Sequence, residues 1–232
     1  MKAQLKHILS AGLLLVLSLP VWALDAGWEL AKDSKGIQVY LREVPNSPVK
    51  AFRGEVEIDA GVLQILGALD DTPAFTEWMH NCAKSELIHK YSLVDRQQYM
   101  VIDFPWPTTD RDMIIRNKIS YDLEQGYARI DLSAFDEAEL PAEAKAKMPG
   151  KSKFRRVSEL TGFFELQQLS PEKTRVVYQL HMDPAGSVPS GIVNMMLVDN
   201  PFNSLQGLRE RAPLAKYQDF DPLNVKAELS VN

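Results

Sequence analysis

A single copy of this chain cannot form a disulfide, because its 232 residues contain only one cysteine, Cys82. Stability must come from packing instead, and a lone thiol in such a chain is expected to be buried. Histidine is also scarce. His7, His80, His89 and His181 stand far apart, with no metal-ligand spacing between them. The sequence has no His-Glu-x-x-His, no Gly-x-Ser-x-Gly, no glycine-rich phosphate loop and no cysteine pair, so the familiar hydrolase, nucleotide-binding and metal-site signatures are missing. Basic residues are outnumbered, 26 against 31 acidic, for a net charge of −5. That balance speaks against a polyanionic partner such as nucleic acid. No Gly-, Ser- or Pro-rich linker divides the chain and no internal repeat appears, which points to one domain.

Only one long apolar run is present, Ile8 to Leu19, between Lys2 and Lys6 on one side and Pro20 on the other. It is shorter than the roughly 20 residues a bilayer span requires. Val21-Trp22-Ala23 follows, and this charged-apolar-small order is that of an export signal cleaved after Ala23. The expectation is a signal peptide over residues 1–23, a mature domain over 24–232, and a periplasmic or secreted location.

The rest alternates between two hydrophobic periods. Asp25 offers an N-cap for a short helix from Ala26 to Lys32, closed by Asp33-Ser34-Lys35-Gly36. Ile37, Val39 and Leu41 then alternate with polar neighbours, as do Phe52, Gly54, Val56 and Ile58. Val62 to Leu69 has helical spacing, and Pro73 opens a second short helix that carries Trp78. Strand patterns return over 85–93 and 97–104, with a turn at Asp95-Arg96, and again over 113–121, 127–134, 154–169 and 175–182. A charged, proline-bounded loop with a possible helical turn spans Phe135 to Gly150. An apolar stripe from Val188 to Leu208 predicts a long last helix, kinked or divided at Pro201. Runs of strands around a few helices predict an α+β domain with an antiparallel sheet. Its apolar face needs a cover, and the last helix is the obvious one.

Several clusters have both a structural and a functional reading. Phe104-Pro105-Trp106-Pro107 is a stiff loop presenting large rings, either as corner packing or as the wall of a pocket. Arg111, between Asp110 and Asp112, either pairs with a carboxylate or turns inward to meet a ligand headgroup; inward, it needs a partner. Met195 and Met196 either fill an irregular core or adapt to a variable ligand. Lys145, Lys147, Lys151, Lys153, Arg155 and Arg156 form a basic run, read as a solvated edge or as a docking patch for anionic headgroups. His181 falls on the polar side of its strand.

Taken together, these segments resemble START lipid-transfer domains. The resemblance is carried by Trp28, Gly36-Ile37-x-Val39-Tyr40, Arg53-Gly54 and the Trp78 helix. Pro105-Trp106-Pro107 followed by Arg111-Asp112 adds to it, as do Asp183-Pro184-x-Gly186-x-Val188-Pro189 and Pro201-Phe202. It spans about Asp25 to Asp219. It implies a helix-grip fold, in which a curved antiparallel sheet wraps a long C-terminal helix around an internal cavity. It also implies a lipid or other hydrophobic small molecule as partner, with transient contact to a membrane surface. The loop Asp103 to Asp110 and the helix from Val188 to Arg211 would move to admit the ligand. Trp78, Phe104, Trp106, Arg111, Tyr178, Met195, Met196 and Phe202 are the candidate ligand-binding residues. No cofactor, metal or catalytic residue is expected. The well-known family members act in the eukaryotic cytosol, so their exchange partners do not carry over to a chain with an export signal. Two rival readings are a cyclase- or hydrolase-like enzyme of the helix-grip superfamily, which needs convergent ionisable groups in the cavity, and a solid-core structural or interaction module without a pocket.

Overall fold

The computed structural model describes residues 27–148 and 154–221. Along the chain these form β1 (Glu29–Ser34), β2 (Ile37–Arg42), β3 (Ala51–Ile58), α1 (Val62–Asp70), α2 (Phe75–Trp78), β4 (Cys82–Ser92), β5 (Asp95–Ile102), β6 (Arg111–Asp122), β7 (Tyr127–Ala134), α3 (Ala142–Lys145), β8 (Arg155–Arg156), β9 (Glu159–Ser170), β10 (Lys173–Asp183) and α4 (Ser190–Arg211). The sheet runs β1-β2-β3-β10-β9-β7-β6-β5-β4, antiparallel throughout, with the short β8 lying parallel beside the start of β6. It wraps α4. This is the helix-grip arrangement, an α+β fold.

Helix α4 lies close to the sheet because β3 places Gly54 beneath it. A Cβ there would meet Leu205 Cδ1 at 2.6 Å. Leu205 and Leu208 are fully buried on this face, each worth about 1.5–3 kcal/mol of apolar burial. Further along, α4 meets the end of α2. The His80 N–H donates to Ser204 Oγ at 3.1 Å, and Asn81 Nδ2 donates to Asn200 Oδ1 at 3.2 Å. Pro201 removes one backbone donor, yet α4 runs undivided from Ser190 to Arg211. It begins just after Pro189, two residues beyond the expected Val188.

Ala26, where a helix to Lys32 is expected to begin, lies outside the described residues, and from Glu29 onward the chain is strand β1 instead. Lys35 and Gly36 both have positive φ, 53° and 71°, the geometry of a two-residue hairpin turn. Asp33-Ser34-Lys35-Gly36 is therefore the bend of the β1–β2 hairpin rather than a helix end. The β4–β5 hairpin turns at Leu93-Val94, ahead of the expected Asp95-Arg96. The 154–169 strand is interrupted after β8, at Val157-Ser158.

The 135–148 segment forms two short helical turns. Leu140 and Ala144 close a second apolar cluster over Ile88, Tyr99, Val101 and Ile114, on the outer face of the sheet. This explains why β5 is buried on both faces. The signal peptide proposed over residues 1–23, and Lys151 and Lys153 of the basic run, lie outside the described residues. Within that run, Arg156 is engaged by Asp112 and Glu137, whereas Arg155 is exposed beside Gly186.

Candidate functional site: a cavity between the sheet and α4

The alternation of the strands places one set of side chains under α4. Met100 and Ile102 of β5, Met113 and Ile115 of β6, and Phe164 of β9 face a cavity of about 110 Å³. Across three neighbouring strands an aromatic group forms part of the wall. Tyr178 stacks on Phe164 with centroids 4.1 Å apart and meets Phe52 edge-on at 5.0 Å. Val193, Met196 and Leu197 close the cavity from α4, and Phe104 and Pro184 close it from two loops.

A few polar groups interrupt this apolar lining. Arg96 is almost fully buried. It donates to the carbonyls of Leu69 (2.7 Å) and Asp70 (3.4 Å) and is paired with the Asp70 carboxylate. It therefore caps the C-terminal carbonyls of α1, while burial pulls its pKa down to about 10. Asn117 lies opposite Arg96 in the β5–β6 ladder. Gln98 Nε2 donates to Ser85 Oγ at 3.0 Å, which leaves its carboxamide oxygen for another donor. His80 also lines the cavity, with its pKa lowered by burial against the opposing pull of Asp199. Among the described residues, no group of three His, Cys, Asp or Glu side chains could hold a metal ion.

The eight candidate side chains fall into two sets. Phe104, Tyr178 and Met196 are in the cavity wall. The other five are not. Trp78 is buried against Phe75, with centroids 4.7 Å apart, in the core beside the cavity. Phe202 faces the β1–β2 hairpin, where Lys32 Nζ lies 3.9 Å from its ring centroid. Met195 is 45% exposed and Trp106, at the tip of the 103–110 loop, is 91% exposed. Arg111 is only 2% exposed. Its Nε donates to Pro184 O at 2.8 Å and Nη2 to Ala185 O at 3.1 Å; Nη1 donates to Thr109 O. The guanidinium also covers the Phe104 ring at 4.3 Å. Burial first, then the nearby Arg155, hold its pKa below the usual value, with Asp110 opposing. The carboxylate beside it, Asp112, is taken by Arg156 and by the Tyr99 hydroxyl.

Strand positions such as Met100, Ile115 and Phe164 were not among the candidates. Their signal was the inward face of each alternating strand, which sequence periodicity does reveal. His181, expected at the surface, is half-buried, with Nε2 3.0 Å from Ser47 Oγ.

Cys82 is buried, and desolvation pushes its thiol up to about 12. The thiolate is the reactive form. A disulfide reagent at pH 8 is therefore expected to leave the native protein unmodified and to react promptly once denaturant is added. Modification of the native protein at the rate of a free cysteine would contradict this burial.

Comparison with known proteins agrees with this architecture. A family model described as START domain matches residues 14–213. An uncharacterized protein of Pseudomonas aeruginosa is 37% identical over 190 residues, covering 82% of this chain and 89% of that protein. The crystal structure of a STAR-related lipid transfer protein from Xanthomonas axonopodis is 31% identical, covers 81% of this chain and 99% of its own, and superposes with a TM-score of 0.69. Human StAR-related lipid transfer protein 5, at 18% identity, shares the fold with a TM-score of 0.67, covering 81% of this chain and 86% of its own. The chain belongs to the START domain family.

Proposed function

We propose that this protein binds one lipid or similar hydrophobic molecule in the cavity under α4 and carries it without covalent chemistry. The observation that carries this reading is the apolar cavity with its few polar groups, the usual composition of a small-molecule site. The lipid-transfer description of the Xanthomonas relative supports it. Moving an apolar chain from a bilayer to such a cavity nearly conserves hydrophobic energy. The protein's contribution is to spare the passage through water, where each exposed CH₂ costs about 0.8 kcal/mol. Gln98 and Asn117 are the groups placed to orient a polar end of the ligand.

A volume of about 110 Å³ is smaller than the roughly 150 Å³ apolar cavity that takes up a benzene molecule. A full lipid tail therefore requires the wall to move outward. Native mass spectrometry of the protein purified from the periplasm, followed by solvent extraction, tests the proposal. One stoichiometric lipid adduct supports it. A ligand-free mass together with failure to take up offered lipids or sterols refutes it.

The periplasmic or secreted location rests on the N-terminal segment of the sequence, and membrane contact on Trp106. An exposed indole at a loop tip beside the cavity suits the interface of a bilayer. Trp106→Ala is expected to weaken association with phosphatidylglycerol-containing vesicles on the order of tenfold, the value of burying one large apolar side chain. Sedimentation with vesicles measures it, and equal binding by both proteins would remove Trp106 from the contact.

A further inference from the structure

Helix α4 is fastened unevenly. Its C-terminal part is tied by side chains to two neighbours, the β1–β2 hairpin and the end of α2. Lys32 pairs with Asp199 at 3.2 Å, Lys35 donates to Gln206 at 3.2 Å, and Arg209 donates to Lys35 O at 2.8 Å. Asn200 and Ser204 hold the end of α2, and Arg211 pairs with Glu77. Among the described residues, no side chain from 190 to 198 makes a hydrogen bond or ion pair, and only Met196 of this stretch is buried. Yet this stretch supplies Val193, Met196 and Leu197 to the cavity wall. Elsewhere the wall is mostly laddered strand, which opens only by breaking the sheet. The weakly held part is the first half of α4, the segment leading into it, and the 103–110 loop that carries Phe104.

One side chain joins these parts. The Arg111 guanidinium donates to Thr109 O on the loop and to Pro184 O and Ala185 O on the lead-in to α4, while covering Phe104. The loop base is closed separately, by Phe104 N–H donating to Asp110 Oδ1 at 3.0 Å. All the acceptors of Arg111 are neutral carbonyls. Such bonds are weaker than a forked arginine–carboxylate pair, so the grip holds the closed state without sealing it.

We infer that Arg111 is a latch: it clamps the 103–110 loop to the segment leading into α4, and ligand exchange proceeds through release of that clamp. This rests on the cavity being the ligand site. Arg111 is thus a positioning residue that acts through the two loops and makes no contact with the ligand. Losing part of the fork destabilises the closed state relative to the open one and removes no residue that lines the cavity. Both directions of exchange then speed up together.

The test uses the full mature protein with Arg111→Lys, which keeps charge and stem, and Arg111→Gln, which keeps two donors. Hydrogen exchange followed by mass spectrometry is measured first, without ligand. Exchange is expected to rise on the order of tenfold in 103–110 and 184–195, the loss of one or two charge-assisted hydrogen bonds, with the sheet unchanged. Stopped-flow fluorescence with anilinonaphthalene sulfonate then reads the door. Association and dissociation rates are expected to rise by a similar factor, with Kd moving less than about threefold. Unchanged exchange in both segments overturns the latch. So does loss of protection across the sheet, or failure of both variants to fold, since Arg111 would then be a core support. If the wild type takes up neither this probe nor lipid, the binding function fails, while hydrogen exchange still decides whether the clamp exists.

Discussion

Replacing Met196 with tryptophan is expected to cut uptake of an apolar probe at least tenfold while sparing the fold. The same change at Met195 is expected to alter neither. The two residues are consecutive, so on a helix they point about 100° apart. Met196 is buried in the cavity wall, whereas Met195 is 45% exposed. An indole at 196 fills a space of about 110 Å³. It removes a burial site worth about 1.5–3 kcal/mol to an entering group, a factor of ten or more in affinity. Thermal melting should show Met196→Trp as stable as the wild type, because a filled void restores dispersion contacts. Equal loss of uptake in both variants, or in neither, would place the ligand elsewhere.

The second large effect concerns Gly207, and here two principles predict opposite signs. Inside an exposed helix, glycine to alanine gains about 1 kcal/mol from backbone entropy. In α4, however, a Cβ on Gly207 is driven into the end of α2. It would overlap the Trp78 carbonyl oxygen and lie 3.0 Å from the carbonyl carbon. These are backbone atoms, which cannot rotate aside. The helix would have to back away, disturbing the Asn200 and Ser204 hydrogen bonds on the same face. Overpacking of this kind costs about 1–3 kcal/mol before those bonds are counted. Gly207→Ala is therefore expected to lose about 2 kcal/mol net, a fall in Tm of roughly 4–8 °C for a domain of this size. A rise in Tm would mean that α4 does not pack on α2 as described.

Much of this architecture could be read from the sequence wherever one face of a strand is buried. Ile37-Val39-Leu41 and Val176-Tyr178-Leu180 alternate because solvent lies on one side of the sheet and α4 on the other. The reading failed where local signals were ambiguous. Asp25 and the Lys35-Gly36 pair carry helix-boundary chemistry, but the same Lys-Gly step makes a hairpin turn once a second strand is available. Strand β5 hides its outer partner, because Tyr99 and Val101 pack under Leu140 and Ala144, some forty residues away. The site was legible in kind and less so in detail. Phe104, Tyr178 and Met196 are in the wall, whereas Trp106 and Met195 face outward. Helix phase could not separate the methionines, since Asn194, Asp199, Asn200 and Pro201 blur the apolar stripe that would have fixed it. Arg111 was left between pairing with a carboxylate and turning toward a headgroup. Its actual partners are three carbonyls, two of them more than 70 residues away, and backbone acceptors leave no trace in a sequence.

Among the described residues the sheet is open and ends in β1 and β4. Such rims invite a second molecule to add a strand. Strand β4 pairs with β5 through three register shifts, at Cys82/Lys84, Leu87/His89 and Lys90/Ser92, and β1 has one at Leu30/Lys32. Each shift bends the rim and breaks the even spacing that an incoming strand must match. Lys32, Lys84 and Lys90 stand at or beside these bends. The irregularities that make these two strands poor examples of regular structure are thus the kind that hinders edge-to-edge pairing between copies.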